Sequence, residues 1–330
     1  MVVVASRNYV LRENLWEIRP DDLSSYVETP DGIFEIDTAS ALQFQRVRAH
    51  CTGHNSVDMI AARSGLSVDD VLGVLEAAEM VGMRVSGCTI APEDRSTRLK
   101  RIVEMWAEEL KRSFVGNRLL DPEAGPRLLK GWLLETYHYV ADFPEAIALA
   151  AERTQSVELR QLLQRYTYEE RGHERFVLNC LVRLGFDAEE VRQSSPLLST
   201  QLIAIKMRDL FLIEPSSVLL MAAMVEAQEF DSSDVVSLQR EIEAHHGIPE
   251  GALAPFFEHQ RIDFELGHHL LLDNNISLLS TSNAATTDLM VNALHDLKHA
   301  FDLQNIEIAQ YYGSAEGQYI PRQPLTMAAL

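Results

Sequence analysis

A chain of 330 residues with 49 Asp and Glu against 29 Lys and Arg carries a formal net charge of −20. It has no basic excess to meet phosphates, which argues against nucleic acid or an anionic membrane as partner. Its 46% hydrophobic and 24% charged residues exclude a disordered chain and leave room for two domains with a sizeable core.

No apolar run approaches the length of a transmembrane span. The start, MVVVASRNYVLREN, lacks the basic region, apolar core and cleavage site of a signal peptide. Cys51, Cys88 and Cys180 are scattered and odd in number, so they read as reduced thiols of a cytoplasmic protein.

Tyr26–Asp37, YVETPDGIFEID, alternates around a Pro-Asp-Gly turn and predicts a β-hairpin. A helix over Thr38–Ala49 follows. Ser56–Ser64 and Ser67–Val81 predict two short helices, each opening on a capping Ser, with Gly65 and Gly82 just past their ends. A hairpin with three small helices is a winged-helix-like unit. The run PDGIFEIDTASALQF…HNSVDMIAARSGLSVDDVLGVLEAAEMVGM resembles the PqqD-like fold. That resemblance implies a domain over residues 1–95 that either clamps a leader peptide or carrier or is a retained structural or dimerisation domain.

Ala91–Ser96, APEDRS, reads as a polar linker. After it the pattern is helical: Arg98–Val115; Pro126–Arg153, with a kink or break at Pro144; and Val157–Leu184. Ser199–Ile213 and Ser216–Phe230 flank Pro215, and Asp234–His246, Ala254–Leu272 and Thr286–Tyr312 complete the set. The tail, residues 314–330, is expected to be loosely ordered.

Within Leu162–Leu181, read as one helix, Leu163, Tyr166, Glu170, His173, Val177 and Leu181 form a stripe. The stripe is apolar except at Glu170 and His173, which are three apart and therefore neighbours. A buried carboxylate is costly unless paired, hydrogen-bonded or bound to metal. Three other helices carry similar exceptions. Glu135 shares a face with Trp132, Tyr139 and Phe143, with His138 beside it as a supporting group. Glu226 or Glu229 follows on the next stripe. His259 and Asp263 lie four apart with Phe256 and Leu270, and His268 or His269 stands in reserve. Carboxylates cannot share a buried site as bare anions, and two divalent ions would neutralise them. Mixed carboxylate and imidazole donors in a helical bundle suit iron or manganese.

Over residues 97–312 the ligand order resembles the heme-oxygenase-like di-iron oxidase and oxygenase family, related in fold to thiaminase-like and PqqC-like proteins. Glu170-x-x-His173 is similar to the family's Glu-x-x-His variant. His259-x-x-x-Asp263 is similar to the front of its His-x-x-x-Asp-x-x-His motif. The alignment prefers Glu229 to Glu226. It places the motif's last His at Leu266, two and three residues before His268 and His269. Either a local distortion brings one of these in, or that position lacks its His.

The resemblance implies a mainly α protein. A heme-oxygenase-like bundle, residues 96–313, follows the N-terminal domain and precedes the tail. The implied cofactors are two Fe2+ ions, with O2 as cosubstrate and the metal ligands Glu135, Glu170, His173, Glu229, His259, Asp263 and His268. Glu226, His138 and His269 are the supporting or alternative residues. The expected reaction is C–H activation on a small free amino acid, such as desaturation with or without ring closure, in specialised (antibiotic) metabolism. The alternatives are a peptide-modifying oxidase and a non-catalytic binding protein. The expected partners are the amino acid, an external electron donor and a second copy in a homodimer. Arg127, Lys130, Arg153, Lys206 and Arg208 are candidates to hold a substrate carboxylate.

Overall fold

The computed structural model describes residues 17–20, 25–83, 92–226, 232–313, 320–324 and 326–327. The chain divides into two compact units, Met1–Met105 and Trp106–Leu330.

The first unit holds an antiparallel sheet in the order β1 (Glu17–Pro20), β2 (Ser25–Thr29), β3 (Gly32–Ile36). Strands β2 and β3 form the expected hairpin, pairing Thr29 with Gly32 across Pro30-Asp31 and Val27 with Phe34. Strand β1 is only four residues long and has no clean alternation, so it was not legible beforehand. Then come α1 (Thr38–Arg48), α2 (Val57–Ser64) and α3 (Val68–Met80). Asp37, Ser56 and Ser67 accept N–H groups of their first turns, and Ser67 with Asp70 completes a capping box. Gly65 caps α2 at φ +71°, where a side chain would be strained. Val27, Phe44, Val47, Ile60, Val71 and Leu75 close the unit's core.

The expected linker is instead helical from Pro92 onward, because α4 runs Pro92–Ser113 and the boundary between the units falls inside it. Proline is tolerated in a first helical turn, so Pro92 opens the helix rather than ending the preceding one. Asp31 on the hairpin turn receives Arg98 at 2.6 Å and Arg101 at 2.9 Å from this helix.

Among its described residues the second unit holds helices and their connections, with no strand. Its elements are α5 (Pro126–Arg153), α6 (Val157–Glu170), α7 (Glu174–Arg183), α8 (Ala188–Gln193) and α9 (Leu198–Ile213). After these come α10 (Ser217–Val225), α11 (Ser232–His245), α12 (Ala254–Leu266), α13 (Leu271–Asn275) and α14 (Ala284–Gly313). Helices α5, α9 and α14 pack together, α6 and α7 cover α5, and α12 lies on α7. No helix among the described residues is long and apolar enough to cross a membrane.

Three expectations are corrected here. Helix α5 continues through Pro144. Proline removes one N–H from the ladder, but Phe143, Ala146 and Ile147 are buried on either side, and burial rather than propensity stabilises most helices in proteins. The stretch Leu162–Leu181 is two helices, because Arg171 is extended and Gly172 takes φ +94°. The long helix from Ala254 ends at Gly267, at φ +77°, followed by a 3₁₀ turn over His268–Leu270. The described part of the tail is also anchored: Arg322 donates to the Pro196 carbonyl and accepts from the Ser195 N–H.

Candidate metal centre

Both breaks in the expected helices lie at the same place in the bundle. Glu170 is the last residue of α6 and His173 stands just before α7, so the Arg171–Gly172 turn separates them. His173 Nδ1 nevertheless lies 3.3 Å from Glu170 Oε2 and 3.2 Å from Asp263 Oδ1. Helix α12 supplies His259 one turn before Asp263. His259 Nε2 is 3.1 Å from Asp263 Oδ2 and 3.0 Å from His173 Nδ1. Glu170, His173, His259 and Asp263 therefore present one ligand atom each, all within 4.8 Å of one another.

Glu170, Glu226 and His268 form a second such group. The left-handed Gly267 turns the chain after α12, so Leu266 faces out at 45% exposure and His268 is driven inward to 2%. His268 Nδ1 then lies 2.9 Å from Glu170 Oε1 and 3.3 Å from Glu226 Oε2. Its other nitrogen, Nε2, faces Glu169 Oε2 at 3.3 Å. A proton held on that side leaves the Nδ1 lone pair aimed at the cluster. Glu170 serves both groups, one oxygen to each.

Three buried atoms here have no hydrogen-bond partner: Glu226 Oε2, Asp263 Oδ1 and His268 Nδ1. Each nonetheless lies against a neighbouring polar atom without aligning as a hydrogen bond: His268 Nδ1 against Glu170 Oε1 and Glu226 Oε2, and Asp263 Oδ1 against His173 Nδ1. Unpartnered buried polar atoms are rare and costly. Three carboxylates and three imidazoles, with no thiolate, are a donor set that fits two iron or manganese ions.

The charges support this. Burial opposes ionisation of Glu170, but contacts from His173 and His268 outweigh it and hold its pKa at about 2. Burial likewise opposes a cation on His173, yet Asp263 and Glu170 raise it to about 9. His268 is raised to about 11 by Glu170 and Glu226 against the same burial cost. His259 is lowered, chiefly by burial. Glu226 is pushed up to about 7 by burial and by the charge of Glu170. Without metal, protons on the histidines balance the carboxylates. Divalent ions would take over that role.

The remaining predicted residues stand elsewhere. Glu135 does not join either group. Its oxygens are taken by the Leu197 N–H at 2.9 Å, the Thr200 hydroxyl at 2.6 Å and the Tyr312 hydroxyl at 2.7 Å. Glu229 lies outside the described residues, and Glu226, expected as a supporting or alternative residue, joins the second group. His138 bonds Ser194 Oγ at 2.9 Å, and burial lowers it to about 4. His269 stacks on Phe264, 2° from parallel, and joins neither group. Lys206 and Arg208 pair with Asp296 and Asp142 on the surface, and Lys130 sits over Phe186.

Two side chains were missed. Tyr166 donates its hydroxyl proton to Glu226, and Glu169 faces His268. The available signal was spacing, since Tyr166 is one turn before Glu170 on the same stripe.

Residues 130–293 match the model of a family described as iron-containing redox enzymes. No sequence among curated proteins matches the chain. A solved domain of unknown function from Shewanella denitrificans has a heme oxygenase-like fold. It is 19% identical, with 69% of this chain and 98% of that one covered at a TM-score of 0.53. At that identity it shows the fold alone. A TenA homolog from Pseudomonas syringae pv. tomato is 12% identical, covering 68% and 99% at a TM-score of 0.49.

Proposed function

We propose, because residues 130–293 match a family of iron-containing redox enzymes, that the chain is a non-heme, O2-dependent oxidase or oxygenase. In this reading Glu170, His173, Glu226, His259, Asp263 and His268 hold two Fe2+ ions. The carrying observation is the convergence of these six side chains, with buried atoms on Glu226, Asp263 and His268 that make no hydrogen bond. Bound ferrous iron with open positions supplies O2 reduction and the oxidising power for C–H or N–H chemistry.

The chain's own residues set the conditions. Glu170 joins the two halves. Glu169 holds the Nε2 side of His268. Phe176 stacks on His259 and Tyr166 packs edge-on against His268, so apolar walls keep water from the imidazoles.

The proposed substrate is a small free amino acid, oxidised at an unactivated carbon by desaturation with ring closure onto the amine. An external donor would supply electrons. This part rests on the ligand order, which resembles family members that oxidise amines, amino acids and fatty acids. The family match begins at residue 130, so the PqqD-like reading of residues 1–95 is likewise a proposal. A separate N-terminal unit with its own core favours a second reading, a peptide-modifying oxidase. Turnover of a free amino acid by the full chain would exclude it.

The test is anaerobic ferrous loading with iron counted per chain. About two ions in the native protein, lost in Glu170→Ala and His173→Ala, are expected. No iron in the native protein would overturn the reading.

A further inference from the structure

Glu226 ends α10, and its backbone N–H is used by the Ala222 carbonyl at 2.8 Å. Its side chain is held by one hydrogen bond, from the Tyr166 hydroxyl to Oε1, which leaves Oε2 buried without a hydrogen bond of its own, 3.3 Å from His268 Nδ1. The same phenol ring packs against His268, with centroids 4.8 Å apart and planes at 71°. On its other side the ring meets Phe143 at 5.8 Å and 86°. Tyr166 is fully buried and stands one turn before Glu170 on α6. One side chain thus touches two members of the second ligand group and shares a helix face with the third.

We propose that Tyr166 is the positioning residue of the second metal position. It clamps one oxygen of Glu226 and braces the His268 ring, so that Glu226 Oε2 and His268 Nδ1 face Glu170 Oε1. Among the described residues Tyr166 makes no hydrogen bond or ring contact with His173, His259 or Asp263, so its direct effect falls on Glu226 and His268. A carboxylate held by one oxygen presents the other as a single-atom ligand, and partners that orient ligands in this way govern metal affinity. This inference rests on the metal reading above.

The experiment is anaerobic ferrous titration of the full chain, resolving the two binding steps, for the native protein, Tyr166→Phe, Glu226→Gln and the double variant. Tyr166→Phe keeps the ring contacts with Phe143 and His268 and removes only the hydroxyl. It should leave the first ion unchanged and weaken the second by about 10- to 100-fold. Glu226→Gln should reproduce that split, and the double variant should lose little more, because the two groups act as one unit. A hydroxyl with only a packing role would lower the melting temperature without separating the two ions. Two ions bound by Tyr166→Phe within about twofold of native affinity would overturn the role of Tyr166 and leave the metal reading standing. Additive losses in the double variant would also overturn it, and should Tyr166→Phe not fold, an unchanged second ion in Glu226→Gln would overturn it instead. A native chain that binds no iron would overturn both.

Discussion

Glu135 and Glu170 are both buried carboxylates, 1% and 4% exposed, on neighbouring helices of one bundle. Around Glu135 every interaction closes. A backbone N–H and two hydroxyls meet its oxygens, and Gln304 in turn donates to Thr200 at 2.9 Å. Burial raises the pKa of Glu135, and the hydroxyls pull it back. Around Glu170 the interactions stay open, with three neighbouring polar atoms lacking an aligned hydrogen bond and two histidines carrying protons. The first region is a finished hydrogen-bond network that ties α5 to α9 and α14. The second leaves ligand capacity unused. Burial of a charge alone does not mark a metal site; unmet valence around it does.

That contrast can be broken by exchanging the consequences of the two carboxylates. The largest expected effect is on iron binding: Glu170→Gln removes a ligand shared by both groups and should abolish stable loading of two ions, read as iron per chain. Next, Glu135→Ala leaves three buried donors unpartnered and should cost about 3 kcal/mol or more of stability, measured by denaturant unfolding. Gly131→Ala probes the same network from the other side. A β-carbon there would come within 2.0 Å of the Tyr312 ring, and a loss of about 1–3 kcal/mol is expected without loss of iron from the folded fraction.

His268→Ala and His269→Ala sharpen the register of the segment after Gly267. The first should lose the second ion, and the second should keep both, in the same ferrous titration. The smallest effect is the pH dependence. His173 and His268 are protonated at neutral pH in the metal-free protein, because their pKa values are raised to about 9 and about 11. Metal must displace those protons, so affinity falls as pH falls, by up to about tenfold per pH unit for each proton released. Calorimetry in two buffers of different ionisation enthalpy should show net proton release at pH 7. Proton uptake would contradict the assignment of these histidines as ligands.

The bundle, the N-terminal hairpin and the caps at Ser56 and Ser67 were legible in the sequence because each rests on local spacing. Glu170, His173, His259 and Asp263 were legible as polar exceptions on apolar stripes, and the structure brings them together. Glu135 met the same criterion and has another role, since its partners at Leu197, Thr200 and Tyr312 lie 62 to 177 residues away and no stripe reveals them. His268 was displaced by two residues from the family motif. The displacement is accommodated because Gly267 ends α12 in a left-handed turn, a conformation that a glycine permits but does not announce. Glu226 and Tyr166 required the third dimension, since their hydrogen bond spans 60 residues.

The most direct test compares two isosteric variants side by side. Iron per chain would be measured after anaerobic ferrous loading of the native protein, Glu135→Gln and Glu170→Gln, with folding checked by circular dichroism. About two ions in the native protein and in folded Glu135→Gln, with loss in Glu170→Gln, is the predicted result. Equal loss of iron from both folded variants would contradict the division between a structural carboxylate and a ligand carboxylate.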